Sequence, residues 1–239
     1  MADRIVLQAK GIGKTFPGVR ALDGVDLELR AGETHIVLGE NGAGKSTLMK
    51  VLSGAYAPDA GEVYIDGQRV GVFDPRVAQR LGVSIIYQEF NLIPHMNVAQ
   101  NIFLGRFPRR RGLLDHATMQ ADAAALLQSL HMDVDPAALI VDLTTAQQQM
   151  VEVAKALSIR AKILIMDEPT SALSERETEQ LFATIHRLNA RGIGIIYISH
   201  RLQELREVGD RVSVLRDGRL IGCHAIRAVT VDDLVGMMV

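Results

Sequence analysis

The chain has 239 residues, 26 lysines and arginines against 28 acids, and 48% hydrophobic residues, which excludes a disordered or fibrous protein and leaves ample length for a core. A net charge of −2 and a pI near 6.4 give no cationic surplus for non-specific nucleic-acid binding. A single cysteine, Cys223, excludes an internal disulfide or a cysteine zinc cluster, and no apolar run approaches the roughly 18–20 residues that span a bilayer.

The start, MADRIVLQAK, lacks the apolar centre of a signal peptide, so the chain is expected in the cytoplasm, with any membrane crossed by another chain. Residues 4–10 and 19–30 alternate apolar and polar side chains, as half-buried antiparallel strands do, and Phe16-Pro17-Gly18 is the turn between them. Thr34 to Leu38 reads as a short strand that runs into GENGAGKST and then the helical pattern LMKVL. A β segment follows at 62–66, and Val83 to Tyr87 reads as a buried strand before the loop QEFNLIPHMN, where Pro94 prevents one long helix. From about Val98 to Met132 the pattern is helical with no strand signal. Next come a helix at 146–158, a strand at 162–166, a helix near 175–191 with Leu181, Ile185 and Leu188 on one face, a strand at 194–199, and a β region ending near Cys223. With 4% aromatics, 21 glycines and strands separated by helices, the expected class is α/β with a mainly parallel sheet.

The strongest chemical signal is Gly39-Glu40-Asn41-Gly42-Ala43-Gly44-Lys45-Ser46-Thr47, a phosphate-binding loop between strand and helix. Such a loop wraps closely enough to aim backbone N–H groups at phosphate oxygens, and the helix that follows adds its positive end. Lys45 would reach the β- and γ-phosphates and the Ser46 hydroxyl would ligate Mg²⁺. The second signal is an apolar strand, Ile163 to Met166, that delivers Asp167 and Glu168 at its C-terminal end, where α/β proteins bind ligands. Asp167 is then the acid on the Mg²⁺ side, and Glu168 the base that orients and deprotonates an attacking water. Hydrolysis is expected over transfer.

Beyond these motifs stand Gln88 after a strand, Leu143-Thr144-Thr145-Ala146-Gln147 leading a helix, Ser171 to Ser174 just past the acids, and His200 ending another strand. In order and spacing the chain resembles, over essentially its whole length, the nucleotide-binding domain of ATP-binding-cassette (ABC) transporters. The wording of GENGAGKSTL, SGAYAPDAGE, NLIPHMNVAQNIFLGR and AQQQMVEVAKALS resembles the N-terminal half of bacterial sugar-import ATPases that carry two cassettes in tandem. The resemblance implies a P-loop NTPase core with an N-terminal antiparallel β layer and an inserted helical subdomain. One domain is expected over 1–239: 1–87 and 160–239 form the β layer and core, and 88–159 the Gln88 loop, helical subdomain and signature helix.

The resemblance also implies roles. Phe16, 29 residues before Lys45, would stack on adenine, and Gln88 would link Mg²⁺ and the water to the membrane-facing subdomain. His200 would contact the γ-phosphate. The family signature is usually Leu-Ser-Gly-Gly-Gln, so Thr144, Thr145 and Ala146 depart from it. Thr144 keeps the hydroxyl, but Thr145 is β-branched where glycine permits close approach or positive φ. In the family, the signature of one cassette closes on ATP held by another. The implied partners are transmembrane permease subunits, a second cassette or a second copy, and, indirectly, a periplasmic sugar-binding protein. The implied place is the inner face of the cell membrane, and no nucleic-acid partner is expected.

Weaker features complete the reading. Arg106, Arg109, Arg110 and Arg111 read as a solvated loop, with contact to acidic lipid or the membrane subunit as the alternative. Cys223 reads as a small core residue, and His35 and His95 as structural. Two rivals are a soluble ABC-type ATPase acting on nucleic acid or ribosomes, without its usual long inserts or basic arms, and a non-catalytic ATP-binding regulator, for which Glu168 and His200 would have no work.

Overall fold

The computed structural model describes residues 4–239; residues 1–3, where the stretch read for a leader begins, lie outside the described residues. Strands β1 (Ile5–Phe16) and β2 (Val19–Arg30) pair antiparallel, with Phe16 opposite Val19 and Leu7 opposite Leu29, so only Pro17 and Gly18 form the turn. Their alternation drives Leu7, Leu27 and Leu29 inward. With β4 (Ala60–Ile65) and the short β5 (Gln68–Arg69) they make a four-stranded sheet of order β2-β1-β4-β5.

The second sheet has order β12-β11-β3-β10-β9-β6. Its strands are β3 (Thr34–Leu38), β6 (Val83–Ile86), β9 (Ile163–Asp167), β10 (Gly194–Ile198), β11 (Arg211–Arg216) and β12 (Arg219–Ala225). All but the edge strand β12 run parallel. Both faces of this sheet are covered, which explains why β9 up to Met166 and β10 run apolar instead of alternating. On one side Val37, Ile163, Ile165 and Ile196 meet the antiparallel sheet and helix α1 (Lys45–Leu52). On the other side Leu38, Leu164, Met166 and Tyr197 share a core with α3 (Val98–Ile102), α4 (His116–Ser129), α5 (Thr145–Ser158) and α6 (Glu175–Ala190). Leu181, Ile185 and Leu188 are the buried face of α6, as their spacing predicts.

Two expectations are corrected. The stretch 98–132 is not wholly helical: β7 (Arg109–Arg110) and β8 (Leu113–Leu114) form a small hairpin, because Arg111 and Gly112 both take positive φ and turn the chain back. Arg106 is exposed like Arg109 to Arg111, as the solvated-loop reading expects, and its guanidinium also donates to the Ile102 carbonyl at 3.0 Å and to Ser158 Oγ at 2.8 Å, tying α3 to α5. Cys223 is exposed and not in the core, since it lies on edge strand β12, which alternates and faces water on one side.

Two further helices had weak sequence signals. The first, α2 (Pro75–Arg80), is short but begins on an Asp74 N-cap with Pro75 in its first turn. The last, α8 (Val231–Met238), starts on a Thr230/Asp233 capping box and buries only Leu234 fully. Between α6 and β11 lies the single turn α7 (Leu205–Val208). No helix among the described residues is long and apolar enough to cross a membrane.

Candidate active site

Parallel strands end at the same edge of their sheet, so the loops after β3, β6, β9 and β10 converge there. That places four sequence-separated groups around one open cavity of about 640 Å³: Gly39 to Asn41, Gln88, Glu168 and His200. Met238 of α8 lines the same cavity, and no sequence signal pointed to it.

The loop 39–47 leads from β3 into α1 with Gly42 and Gly44 at positive φ. Gly44 is the N-cap of α1, and Lys45 turns its ammonium back into the loop, donating to the carbonyls of Gly39 at 2.8 Å and Glu40 at 2.9 Å. Burial pushes the Lys45 ammonium down from its usual range, while the charges of Glu168 and Asp167 pull it up. Ser46 is exposed at the start of α1 and Thr47 is half-buried.

Asp167 is the last residue of β9, and Glu168 is the first beyond it. Burial and the neighbouring Glu168 charge push the Asp167 carboxyl up, with Lys45 acting against them. Glu168 takes a positive φ of 46°, a conformation that strains a side-chain-bearing residue, and its N–H donates to the Ile198 carbonyl at 2.9 Å. Its Oε1 lies 2.9 Å from His200 Nδ1. A carboxylate only accepts, so the ring proton is assigned to Nδ1, and Nε2 is the free nitrogen.

Phe16 ends β1 away from this cavity. Its ring meets Tyr56 edge-on at 5.5 Å, and the Lys14 ammonium lies 5.7 Å from its centroid. Tyr56, which sequence reasoning missed, lies in the turn after α1 and donates its N–H to the Lys50 carbonyl, so Phe16 is linked to the helix that begins at Lys45.

Leu143 to Gln147 do not line the cavity. Thr144 caps α5, accepting from Gln147 N–H at 3.3 Å while Gln147 Oε1 accepts from Thr144 N–H at 2.9 Å. Thr144, Ala146 and Gln147 instead border a separate cavity of about 580 Å³ beside α6. Of the two reasons for glycine at position 145, close approach or positive φ, the second does not apply: Thr145 is the first residue of α5 and is not among the positive-φ residues. Its own backbone has no need of glycine.

The loop after β6 is held from two directions. Buried Asn101 accepts from Ile93 N–H at 2.7 Å and donates to the Ile93 carbonyl at 3.2 Å. Glu152 of α5, its carboxyl pushed up by burial, accepts from Asn91 N–H at 2.8 Å, and Lys155 donates to the Asn91 carbonyl at 2.8 Å. The segment carrying Gln88 is therefore fastened to the helix that Thr144 begins.

A strand, Gly-rich loop and helix stand beside a strand-end acid pair, and the profile of the ABC transporter family matches residues 22–171. The chain belongs to that family. Over 236 residues this ABC cassette is 57% identical to the ribose import ATP-binding protein RbsA 1 of Rubrobacter xylanophilus, covering 99% of this chain and 47% of the relative. It is 52% identical over 231 residues to a putative ribose/galactose/methyl galactoside import ATP-binding protein of Burkholderia lata, covering 96% of this chain and 45% of that one. The chain thus spans about half the length of the curated relatives it matches. Among solved structures, the ADP conformation of MJ1267, an ATP-binding cassette of an ABC transporter, superposes with a TM-score of 0.87 at 25% identity, covering 98% of each chain. The dimeric post-hydrolysis state of the ATP-binding cassette MJ0796, bound to ADP and Pi, gives 0.79 at 26% identity over 92% of this chain and 99% of that one.

Proposed function

We propose that this cassette hydrolyses ATP to power import of a monosaccharide, as one of two cassettes that sandwich nucleotide beneath transmembrane permease subunits on the inner face of the cell membrane. The observation that carries the reading is the Glu168–His200 pair, facing the same cavity as the loop that carries Lys45. In this reading Lys45 leaves the Gly39 and Glu40 carbonyls for phosphate oxygens, and the loop's N–H groups hold the rest of the chain of phosphates. Glu168 accepts the proton of the attacking water, and His200, held by Glu168 through Nδ1, presents Nε2 to the γ-phosphate. Phe16 supplies an aromatic face for the base.

The residues fit Mg²⁺, a hard cation that takes few protein oxygens and borrows the rest from phosphate. Ser46, Asp167 and Gln88 would hold it, and no cluster of three His, Cys, Asp or Glu side chains competes among the described residues. An ion held by these residues would neutralise charge on the phosphate oxygens.

Thr144 to Gln147, remote from this chain's own cavity, would complete the site of the second cassette. The second cassette is read as the other half of a tandem chain or as a second copy, in line with the lengths of the relatives and the dimeric neighbour. A groove of about 420 Å³ between Tyr87, Asn91, Leu104, Arg106 and Glu152 suits a permease segment, since motion there moves the Gln88 loop and α5 together. The sugar is read from the names of the relatives, and its capture is assigned to a periplasmic binding protein. The test is sedimentation of Glu168→Gln with and without Mg-ATP. An ATP-dependent dimer is expected; a monomer that binds ATP and releases phosphate as the unaltered chain does would remove Glu168 as the base and the reading with it.

A further inference from the structure

Behind the Glu168–His200 pair lies a buried carboxylate that the motifs leave unused. Glu204, four residues after His200, is only 7% exposed. Its Oε2 accepts from three hydroxyls: Tyr197 at 2.9 Å, Thr170 Oγ1 at 2.9 Å and Ser199 Oγ at 3.1 Å. Its Oε1 pairs with Arg201 at 3.4 Å. Ser199 Oγ itself accepts from Arg201 N–H at 2.9 Å, so its one proton is directed at Glu204. Three hydroxyls and a guanidinium thus converge on one buried carboxyl group, and hydrogen bonds to a carboxylate are stronger than bonds to a neutral acceptor.

The donors are not arbitrary residues. Thr170 lies two residues after Glu168, and Ser199 immediately precedes His200. Glu204 therefore grips the chain just beyond the proposed base and just before His200. Glu168 sits at a strained φ of 46°, a conformation that persists only where its surroundings over-determine it. The Thr170 anchor is one such constraint.

We propose that Glu204 is a positioning residue for hydrolysis: by tying Thr170 to Ser199 it sets the 2.9 Å register between Glu168 Oε1 and His200 Nδ1. The proposal rests on the reading of Glu168 as base. A misplacement of that pair of about 1 Å costs on the order of tenfold or more in rate.

The test is Glu204→Gln, which keeps the volume and removes the charge. Phosphate release is measured in the assembled transporter, and the ¹⁵N shift of His200 Nδ1 in the chain itself. We expect kcat to fall about tenfold with KM for Mg-ATP unchanged. The Nδ1 signal should move toward its position in Glu168→Gln, and adding Glu204→Gln to Glu168→Gln should cost nothing further. An unmoved Nδ1 signal, or losses that add fully, would leave Glu204 as a packing residue and overturn the proposal. If Glu204→Gln does not fold, Thr170→Val and Ser199→Ala each remove one tether and are expected to shift the Nδ1 signal part-way; no shift in either overturns it. Absence of phosphate release from the unaltered transporter would defeat the hydrolase reading alone, because the Nδ1 measurement does not depend on turnover.

Discussion

Nδ1 of His200 stands 2.9 Å from Oε1 of Glu168, though 32 residues separate them, because β10 and β9 are parallel neighbours and both residues lie just past their strand ends. In the proposed mechanism the pair would divide the labour, Glu168 taking a proton and His200 holding phosphate. Glu168→Gln should lower phosphate release of the assembled transporter by about 10²–10⁴ while ATP binding persists. His200→Ala should lower it too, with Glu168 left in place but unoriented. Phosphate release by His200→Ala at the unaltered rate would show that the pair is a resting contact only.

The same loop glycines can be told apart by what surrounds them. A Cβ on Gly39 would stand 2.4 Å from the Leu215 carbonyl oxygen, whereas one on Gly42 would meet nothing within 4 Å. Gly42 has φ of 87°, so its substitution carries only the conformational cost of about 1–2 kcal/mol. Gly39→Ala must also shift β11 or the loop. We expect Gly39→Ala to lower thermal stability and abolish ATP binding, and Gly42→Ala to bind ATP weakly with a smaller loss of Tm. Equal losses in the two variants would refute the packing argument.

The readings that needed only local pattern held where one face or one loop decided the outcome. The apolar run ending in Asp167 and the GENGAGKST loop both placed strands, because burial on two faces and a phosphate loop leave few alternatives. Where a few residues decide, pattern failed. The hairpin at Arg109 to Leu114 turns on Arg111 and Gly112, and an arginine at positive φ carries no signal in the sequence. Cys223 has the composition of a core residue, yet its exposure follows from β12 being an edge, a fact of topology. Met238 and Tyr56 reach the site region only through the fold.

Thr144 departs from the usual signature serine but caps α5 in a reciprocal box with Gln147. Removing the cap exposes donors of the first turn, so Thr144→Ala should cost about 1 kcal/mol in urea unfolding. Thr145→Gly should also destabilise, by up to about 1 kcal/mol, since the position is helical. If Thr145→Gly nonetheless raises phosphate release in the assembled transporter, the crowding lies across the partner's nucleotide. A rise in stability would instead mean that Thr145 is strained after all.

His35 provides a pH dependence inside the fold. It is 1% exposed, with Nδ1 at 2.8 Å from the Glu28 carbonyl and Nε2 at 2.8 Å from Ser213 Oγ. The carbonyl can only accept, so Nδ1 is assigned the proton and Nε2 accepts from Ser213. Burial pushes the imidazole from 6.5 down to about 4, and Arg211 adds to the effect while Glu33 opposes it. The unfolded chain therefore takes up a proton near pH 6.5 that the folded chain refuses until about pH 4. Stability from neutral His35 is whole above that upper value and is lost progressively as pH falls through the window. Between pH 7 and pH 5 the loss should be about 2 kcal/mol. His35→Gln, which cannot titrate, should start less stable at pH 7 and lose that much less on acidification. Urea midpoints of the two proteins at both pH values measure the difference, and parallel losses would assign the acid sensitivity to carboxylates elsewhere.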